Sequence, residues 1–357
     1  MLKIYSEETG GSAAHDHERI VHAEDVECGY RAIIAVHSTA LGPALGGTRL
    51  WNYASLEDAR TDALRLARGM TYKNALAGLP FGGGKSVLVG DAREIDRERV
   101  FRAHGRAVES LGGSYITAED VNTSPADMEI MLRETRYVAG LIGRSGDPSP
   151  VTARGVFRAI QASAKYRWGS DSLAGRTVAL QGCGHVGHHL ARELAAAGAR
   201  LLITDVDEAK ARRVAGELGA RYVEPAEIYD APAEVFAPCA LGGVVNDETL
   251  PRFKFEIVAG AANNQLLEAR HGDALQARGV TYAPDYVANA GGVINGTIEL
   301  LGWTPERARA KVEAIYDTLL EIFRAAAATG ITPARAADEL AEAHIEAARG
   351  ARTSATD

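Results

Sequence analysis

The stretch "VALQGCGHVGHHLARELAAAGARLLITDVD", residues 178–207, decides the fold of this chain. Gly182, Gly184 and Gly187 form a G-x-G-x-x-G pattern directly after a predicted strand and at the start of a predicted helix, the context in which it indicates dinucleotide binding. Asp205 closes the next predicted strand, where a carboxylate can accept hydrogen bonds from a ribose and repels a 2′-phosphate. A glycine turn that binds nothing is disfavoured, because strand, glycines, helix and acid agree in spacing. We therefore predict a Rossmann domain that binds NAD rather than NADP.

Three histidines in this stretch, His185, His188 and His189, raise the question of a metal site. On a helix, positions 188 and 189 point in different directions, which favours surface or packing histidines over metal ligands. The three cysteines of the chain are far apart and form no C-x-x-C pair, so neither a disulfide framework nor a cysteine metal site is expected. We predict no metal, and cysteines buried as small apolar residues.

Short apolar runs alternate with amphipathic helices around the glycine motif, which predicts a parallel sheet with helices on both faces. Because 357 residues exceed what one core usually serves, we expect two domains joined at "GDPSPV", residues 146–151. The predicted fold is an N-terminal α/β substrate, catalytic and oligomerisation domain, a C-terminal Rossmann domain and an active-site cleft between them. The predicted bounds are 1–146 for the first domain, 147–330 for the Rossmann domain, 331–350 for a helix that packs back on the first domain, and 351–357 for a disordered tail.

The N-terminal domain is predicted to alternate strands and helices. Strands joined by short turns are expected between Val26 and Trp51, where apolar positions alternate and Gly and Pro interrupt them. Ser55 and Asp58 form a capping-box-like pair that predicts the start of a helix. In the other domain, one long helix is predicted from Thr304 to about residue 328.

Composition excludes several classes of function. The formal net charge of −8 argues against a broad nucleic-acid surface, which needs clustered Lys and Arg. The N-terminus lacks the apolar core of a signal peptide, and no apolar run is long enough to span a membrane, so a cytoplasmic protein is expected. Small-molecule or protein partners are favoured.

The stretch "GLPFGGGKSVLVG", residues 78–90, is superficially like a phosphate-binding loop. The Walker pattern needs a glycine six residues before the lysine, and that position is Leu79; the order of helix and strand is also inverted. Lys85 is instead one of three ionisable candidates for a site, with Lys73 and Asp120. A lysine in a glycine-lined cleft has a depressed pKa that suits a general base, and the glycines leave room for a substrate. A solvated surface charge is the competing interpretation of either lysine.

Seven motifs resemble, in sequence order, those of the Glu/Leu/Phe/Val dehydrogenases, and of their leucine dehydrogenase branch in particular. They are "LGPALGGTRLW", "ARGMTYKNALAGLPFGGGKSVL", "YITAEDVNTSPADM", "PSPVTARGV", "APCALGGVVNDETLP", "AGAANNQL" and "APDYVANAGGVIN". The resemblance covers roughly residues 18–330. It implies NAD-dependent reversible oxidative deamination of an L-amino acid to its 2-oxo acid and ammonia by a homo-oligomer.

The resemblance also implies the roles of the ionisable residues. Lys73 binds the substrate carboxylate as a fixed cation. Lys85 is the catalytic lysine, which polarises or deprotonates the water that attacks the iminium carbon, and Asp120 exchanges protons with the departing amine. This division is chemically sensible, because water must add to an iminium and ammonia must leave protonated.

On the cofactor side, the resemblance puts Thr152, Asn263 and Asn289 at the nicotinamide end. Either Asn263 or Asn264 also approaches the substrate; the motif leaves that choice open, and Asn264 is our candidate substrate residue. The competing interpretation is that these asparagines cap turns. Residues of the glycine loop, of the segment after Asp205 and of "PCALGG" complete the cofactor set, the last through its backbone: His185, Val186, Val206, Cys239 and Ala240.

The side-chain pocket implied by the resemblance is uncharged. It comprises Leu45, Gly46, Met70, Ala118, Ala139, Val293 and Gly296. An apolar substrate is therefore expected, since an unpaired carboxylate in such a lining is strongly disfavoured. Ala139 and Gly296 replace a threonine and a valine of the leucine-enzyme pattern, which gives room for phenylalanine or tryptophan, whereas Ala118 and Val293 remain as in branched-chain enzymes. Both substrate classes stay open.

Two other functions also stay open. A dehydrogenase of another 2-substituted acid, such as a hydroxy acid, would need His or Arg near the nicotinamide in place of the two lysines and the aspartate. A non-catalytic NAD-binding homologue would not need Lys73, Lys85 and Asp120 together.

Overall fold

The computed structural model describes residues 1–8, 16–144 and 146–353. The described residues divide into two compact units, one drawn from those within 1–146, 296–303 and 341–353 and the other from 147–295 and 304–340. Each unit contains a six-stranded sheet. No helix in these described ranges is long and apolar enough to cross a membrane.

The first unit combines antiparallel and parallel strands. Its elements are β1 (Lys3–Glu8), β2 (Arg19–Asp25), β3 (Tyr30–Ser38), β4 (Ala44–Trp51), α1 (Leu56–Leu76), β5 (Gly82–Val89), α2 (Arg97–Glu109), β6 (Tyr115–Glu119) and α3 (Pro125–Leu132). The strand order is β1-β2-β3-β5-β4-β6. Because β4 runs parallel to both β5 and β6, the carboxyl ends of these three strands meet at one edge of the sheet.

Helices cover both faces of this sheet. One core cluster joins the sheet to α1 and comprises Ile20, Ile33, Ala35, Ala59, Ala63, Ala67 and Val87. Their strand neighbours Ile34 and Leu88 face the other way and cluster with Phe101 of α2. The helix α1 begins as predicted, since the Ser55 hydroxyl accepts the Asp58 backbone N–H at 3.0 Å.

The second unit has a wholly parallel sheet. The remaining elements are α4 (Ser149–Trp168), β7 (Thr177–Gln181), α5 (His185–Ala196), β8 (Arg200–Thr204), α6 (Glu208–Leu218), β9 (Arg221–Tyr222), β10 (Val235–Pro238), β11 (Ile257–Val258), α7 (Arg270–Ala277), β12 (Thr281–Tyr282), α8 (Asp285–Ala288), α9 (Gly291–Leu301), α10 (Pro305–Glu313), α11 (Ile315–Thr329) and α12 (Pro333–Thr353). The strand order is β12-β11-β10-β7-β8-β9, with every pair parallel. The predicted α/β fold with a Rossmann domain is confirmed.

Several predicted boundaries are wrong. The linker "GDPSPV" is shorter than expected, because α4 begins at Ser149 and a proline in the first turn of a helix loses no backbone hydrogen bond. The helix predicted from residue 304 is two helices, α10 and α11, that meet at Ala314. The predicted disordered tail is helical as far as Thr353, since Ala351 and Arg352 favour helix, and residues 354–357 lie outside the described ranges.

The predicted domain bounds also differ from the two units. Residues 296–303, expected in the Rossmann domain, belong to the first unit, where Glu299 Oε2 accepts the Gly140 N–H at 3.1 Å. Residues 331–340, expected to leave the Rossmann domain, belong to the second unit. The end of α12 contacts α1, because Tyr72 bonds to Glu342 and His344 Nδ1 lies 3.3 Å from the Ala75 carbonyl oxygen.

Candidate active site

Three parallel strands bring a lysine, an aspartate and an arginine together in the first unit. Lys85 lies in β5 with its side chain 6% exposed, and Asp120 directly follows β6. The Lys85 Nζ donates to Asp120 Oδ2 at 2.7 Å, and Arg49 Nε, from β4, donates to the same oxygen at 3.0 Å. The predicted site residues Lys85 and Asp120 thus form one ion pair. The sequence did not predict that Arg49 also contacts this pair.

Arg49 is held at its other end by α1. Its Nη1 donates to Asp62 Oδ2 at 3.0 Å, and the Tyr53 hydroxyl donates to that oxygen at 2.5 Å. One feature of the sequence could have indicated this role of Arg49. The arginine lies within the strand "ALGGTRLW", and a charged residue at a half-buried strand position needs a partner.

Burial and charge act on these groups in opposite directions. Burial lowers the pKa of Lys85, and the neighbouring Asp120, which raises it, does not restore its usual value. Burial raises the pKa of Asp120, but Lys85 and Arg49 outweigh that effect and hold it below the usual value of a carboxyl group. A destabilised ammonium beside an ionised carboxylate is suited to proton transfer.

The glycines before Lys85 have a structural role that differs from the expected one. A Cβ on Gly82 would lie 1.8 Å from the Ser38 carbonyl oxygen, and one on Gly83 would lie 2.0 Å from the Thr71 backbone nitrogen in α1. A Cβ on Gly84 would lie 2.7 Å from the Tyr115 ring. These glycines allow close contact of the protein with itself, rather than leaving room for a substrate as we expected.

The other substrate candidates of the first unit lie on neighbouring elements. Lys73 is half-buried in the last turn of α1, and Met70 lies one turn earlier. A Cβ on Gly46 would lie 3.4 Å from the Met70 Cγ, so these two residues are neighbours. Leu45 is buried. The structure therefore brings Gly46 of β4, the strand that also carries Arg49, next to Met70 of α1.

A hydrogen bond joins the chain segments that carry two pocket candidates, Ala139 and Gly296. The Gly140 N–H, next to the buried Ala139, donates to Glu299 of α9 at 3.1 Å, and Gly296 lies one turn before Glu299. A Cβ on Gly296 would meet no atom of the described residues within 4 Å, so there is open space beside it. Ala118 is half-buried in β6.

A buried polar network lies on the other face of the same strands. The His104 Nε2 is 3.0 Å from both Thr48 Oγ1 and Ser86 Oγ, and its Nδ1 is 2.9 Å from the Tyr30 hydroxyl. Thr48 Oγ1 is also 2.6 Å from Thr117 Oγ1, on β6. Thr48 and Ser86 directly neighbour Arg49 and Lys85 in sequence, so the network fastens the strands that present the charged residues.

The glycine loop of the second unit has the geometry that a dinucleotide needs. Gly182 has φ +100°, and a Cβ on Gly187 would lie 2.0 Å from the Gly182 carbonyl oxygen. Among the described residues, a Cβ on Gly184 would meet nothing within 4 Å, and no side chain caps the N-terminus of α5 at Gly184. The first backbone amides of α5 are therefore open to a pyrophosphate.

Asp205 is fixed beside this loop. Its Oδ2 accepts the Cys183 N–H at 2.6 Å, and its Oδ1 accepts the Asp207 N–H at 3.0 Å. The next residue, Val206, is 97% exposed, so an apolar surface lies open beside the carboxylate. This arrangement fits an adenosine ribose and its base.

The asparagine candidates differ in their contacts. Asn289 Nδ2 donates to Asn263 Oδ1 at 2.7 Å, whereas Asn264 has φ +52° and its carbonyl oxygen accepts the Gly243 N–H at 2.7 Å. Asn289 Oδ1 is buried and has no hydrogen-bond partner among the described residues. A buried acceptor of this kind fits the carboxamide of a nicotinamide.

The remaining cofactor candidates surround the loop and the start of α9. A Cβ on Gly292 would lie 3.1 Å from Thr152 Oγ1, and Val293 follows in α9. Cys239 directly follows β10, and a Cβ on Gly182 would lie 3.0 Å from the Cβ of its neighbour Ala240. Burial raises the pKa of Cys239 to about 12, so it is a thiol and not a nucleophile at neutral pH.

The histidines and cysteines have separate surroundings. His185, followed by Val186, is at the start of α5, and His188 Nε2 lies 3.0 Å from a Glu217 carboxylate oxygen. In the described ranges, no three His, Cys, Asp or Glu side chains are grouped so that they could hold a metal ion. All three cysteines are free; Cys183 is buried as expected, whereas Cys28 and Cys239 are half-buried.

Comparison with known proteins gives matches over nearly the whole chain. A family model described as Glu/Leu/Phe/Val dehydrogenase, dimerisation domain, matches residues 17–137, and one described as Glutamate/Leucine/Phenylalanine/Valine dehydrogenase matches residues 202–352. The chain is 54% identical to leucine dehydrogenase of Thermoactinomyces intermedius over 95% of this chain and 93% of that protein. It is 47% identical to valine dehydrogenase of Streptomyces albus over 94% of each chain. The crystal structure of L-tryptophan dehydrogenase from Nostoc punctiforme matches with a TM-score of 0.84 and 45% identity, over 94% of this chain and 97% of that one.

Proposed function

The chain belongs to the Glu/Leu/Phe/Val dehydrogenase family, and from this we propose that Lys85, Asp120 and the glycine loop carry its reaction. It is an amino acid dehydrogenase, and its relatives include leucine, valine and tryptophan dehydrogenases, whose named substrates are all apolar. The reaction is oxidative deamination of an apolar L-amino acid to its 2-oxo acid and ammonia. The observation that carries our assignment is the contact of 2.7 Å between the buried Lys85 Nζ and Asp120 Oδ2.

The residues of the first unit supply binding and proton transfer. Lys73 binds the substrate carboxylate as a fixed cation, and Asp120 accepts a proton from the substrate ammonium. Bound NAD supplies the acceptor for the hydride that leaves Cα. Lys85 takes a proton from the water that adds to the iminium carbon, and Asp120 returns its proton to the nitrogen of the resulting carbinolamine. The C–N bond then breaks, ammonia leaves, and the remaining hydroxyl proton passes to solvent as the C=O bond of the 2-oxo acid forms.

NAD is the proposed cofactor because of the Asp205 carboxylate. The carboxylate lies beside the glycine loop, where it can accept hydrogen bonds from both ribose hydroxyls of the adenosine. Its negative charge repels a 2′-phosphate. Asn289, whose buried Oδ1 has no partner in the part of the chain that the structure describes, and Asn263 are proposed to hold the nicotinamide carboxamide. Asn264 is retained as the substrate candidate from the motif alone.

We propose a bulky apolar side chain for the substrate. The candidate pocket residues carry no charge, and the open space beside Gly296 supports a larger volume than a valine at that position would leave. Each additional methylene buried there contributes about 0.8 kcal/mol. Leucine and tryptophan are therefore the two substrates to compare first.

A spectrophotometric screen of the twenty L-amino acids with NAD and with NADP tests the proposal. We expect NADH formation with apolar amino acids, and ammonia-dependent NADH oxidation with the corresponding 2-oxo acid, which a hydroxy-acid dehydrogenase does not show. Lys85→Ala should lower kcat by about 10²- to 10⁴-fold and leave NAD binding unchanged. Lys165→Ala, at an exposed lysine of α4, is the matched control. Inactivity of the wild type on every amino acid, or full activity of Lys85→Ala, would contradict the assignment.

We also propose that the protein is a homo-oligomer. One of its matching family models is described as a dimerisation domain, over residues 17–137. In the same unit, the edge strand β1 has all six of its residues exposed, including Ile4 and Tyr5. A second copy of the chain would cover this strand.

A further inference from the structure

Arg49 contacts the same carboxylate oxygen as Lys85. Arg49 Nε and Lys85 Nζ donate to Asp120 Oδ2 at 3.0 and 2.7 Å. Both bonds end on Oδ2, so Oδ1 is the oxygen left for a substrate amine. A carboxylate with one donor can rotate about its Cβ–Cγ bond, and a second donor from another strand restricts that rotation.

Arg49 is itself held by two side chains that lie earlier in the chain than Asp120. Asp62 of α1 accepts from Arg49 Nη1 at 3.0 Å and also accepts the Tyr53 hydroxyl at 2.5 Å. The Arg49 side chain is only 20% exposed. A continuous series of contacts therefore runs from Tyr53 through Asp62 and Arg49 to Asp120 and Lys85.

We propose that Arg49 is a positioning residue of the reaction, which holds the Asp120 carboxylate beside the Lys85 ammonium while Asp62 holds Arg49. The inference rests on the proposed function, because it takes proton transfer by Asp120 and Lys85 as given. In this role Arg49 acts through Asp120 rather than directly on the substrate or the cofactor.

Sharing Asp120 between two cations has a chemical consequence. Lys85 must release its proton to act on water, and a carboxylate that bonded only to Lys85 would oppose that release. Arg49 takes part of the Asp120 charge and adds a second positive charge near Lys85. Both effects favour neutral Lys85. An arginine with a purely structural role would change stability and leave the pH dependence of the reaction in place.

The test compares Arg49→Gln, Arg49→Lys and Asp62→Asn with the wild-type enzyme. We expect Arg49→Gln to lower kcat for the best amino acid by about 10- to 100-fold, the effect of one charge-assisted hydrogen bond, with KM for the amino acid changed far less. Arg49→Lys keeps the charge and should recover part of the loss, and Asp62→Asn should give a smaller loss. Arg93→Gln is the control, since Arg93 is 88% exposed and pairs with Asp91.

The pH profile separates positioning from a structural role. The charged and titratable groups on the faces around Lys85 are Asp120 after β6, Arg49 on β4, His37 on β3, Asp62 and Lys73 on α1, and Tyr53 before α1. In Arg49→Gln, loss of the arginine charge should raise the pKa of Lys85 and move the half-maximal rate of deamination to higher pH. Arg49→Lys should restore the wild-type profile.

A crystal structure of Arg49→Gln adds a measurement that does not depend on activity. We expect the Asp120 carboxylate to rotate or to adopt more than one orientation. If wild-type enzyme is active and a folded Arg49→Gln matches Arg93→Gln in kcat and pH profile, Arg49 is not a positioning residue. If the wild type turns over no amino acid, the proposed function fails, and an unmoved Asp120 in the variant would reject the positioning role separately. Asp62→Asn provides the same comparison if Arg49→Gln does not fold.

Discussion

Lys85 is removed from water, and stability alone does not explain why a lysine occupies this position. A buried ammonium is costly unless it is paired, and Asp120 provides the partner at 2.7 Å. Yet a buried ion pair contributes little to stability compared with apolar side chains of similar volume. The retention of both charges in the middle of a packed sheet is better explained by the proton transfer that we propose for them.

The proposed preference for NAD over NADP depends on one carboxylate. Asp205→Ala removes the acceptor for the ribose hydroxyls, so we expect KM for NAD to rise by about tenfold or more, the effect of one hydrogen bond to a charged group. The same change removes the repulsion of a 2′-phosphate, so the preference for NAD over NADP should fall. Initial rates with varied NAD and NADP measure both effects.

Asp207 provides the control for that measurement. It is two residues further along and caps α6, where its side chain accepts the Lys210 N–H at 3.0 Å. Asp207→Ala removes the same kind of group at a position outside the proposed ribose site. An NAD to NADP preference that changes equally in the two variants would show that Asp205 has no specific role.

Candidate residues could be found from the sequence where a continuous motif contained them. Lys85 and Asp120 stand in long motifs, and their pairing follows once β5 and β6 are neighbours of β4. Arg49 and Asp62 were missed because their contacts join positions 13 and 71 residues apart, which no local pattern links. The predicted role of the glycines before Lys85 was wrong, because only the folded chain shows that Thr71 lies beside Gly83.

At the scale of elements, β4, β5 and β6 act as one support. Thr48, Ser86 and Thr117 come from these three strands, and their hydroxyls meet beside the ring of His104 in α2. Arg49 directly follows Thr48, and Lys85 directly precedes Ser86, so both charged side chains point to the opposite face of the sheet. A displacement in the network therefore changes the geometry of the charged residues.

His104 makes the stability of this support depend on pH. Burial lowers its pKa to about 3, so the folded protein holds it neutral. Because this is below the unfolded value of about 6.5, the stability that neutral His104 contributes is present above pH ~6.5 and is lost as the pH falls toward ~3, by about 1.4 kcal/mol per pH unit.

The variant His104→Gln does not titrate and tests this dependence. At neutral pH we expect it to be less stable by about 1–3 kcal/mol, because buried hydroxyls lose a partner. On acidification below pH ~6.5, the difference from wild type should shrink by the amount given above. Urea denaturation at a series of pH values measures this difference in the free energy of unfolding. His22→Gln, on the partly exposed face of β2, is the control; a constant difference for His104→Gln would reject the explanation.

The elements that the sequence did not predict have identifiable causes. The helix α4 was missed because Pro150 and Gly155 weaken a helical pattern; Gly155 is present because a Cβ there would lie 3.0 Å from the Ala288 carbonyl oxygen. The strand β1 has six exposed residues and so shows no alternation of burial. Only its pairing with β2, from Lys3 opposite Glu24 to Glu8 opposite Arg19, makes it a strand. Long strands and glycine-bounded helices were predicted because their signals are local.

At the scale of the whole molecule, the two sheets differ in how they are covered. The parallel sheet of the second unit has helices around it, and its core cluster includes Phe236 and Val258. The sheet of the first unit ends in β1, which is exposed along its length and has one edge that no other strand in the described ranges pairs with. Such an edge can pair with another chain, and isolated proteins usually protect it.

The edge of β1 predicts how the proposed homo-oligomer can be broken. We expect Tyr5→Lys combined with Ile4→Lys to shift the protein to smaller species, because each change places a charge where a second copy would bury an apolar side chain. Light scattering after size-exclusion chromatography measures the mass of wild type and variant. The matched control is Val26→Lys, at another exposed apolar residue of the first unit.

The outcome depends on whether β1 or another surface forms the contact. If wild type is oligomeric and the β1 variant is smaller while the control is not, the edge strand belongs to the interface. The far-ultraviolet circular dichroism of the variant should stay native, because Ile4 and Tyr5 are exposed and support no core of their own unit. An unchanged mass in the β1 variant would assign the interface to a different surface, and a monomeric wild type would overturn the proposed assembly itself.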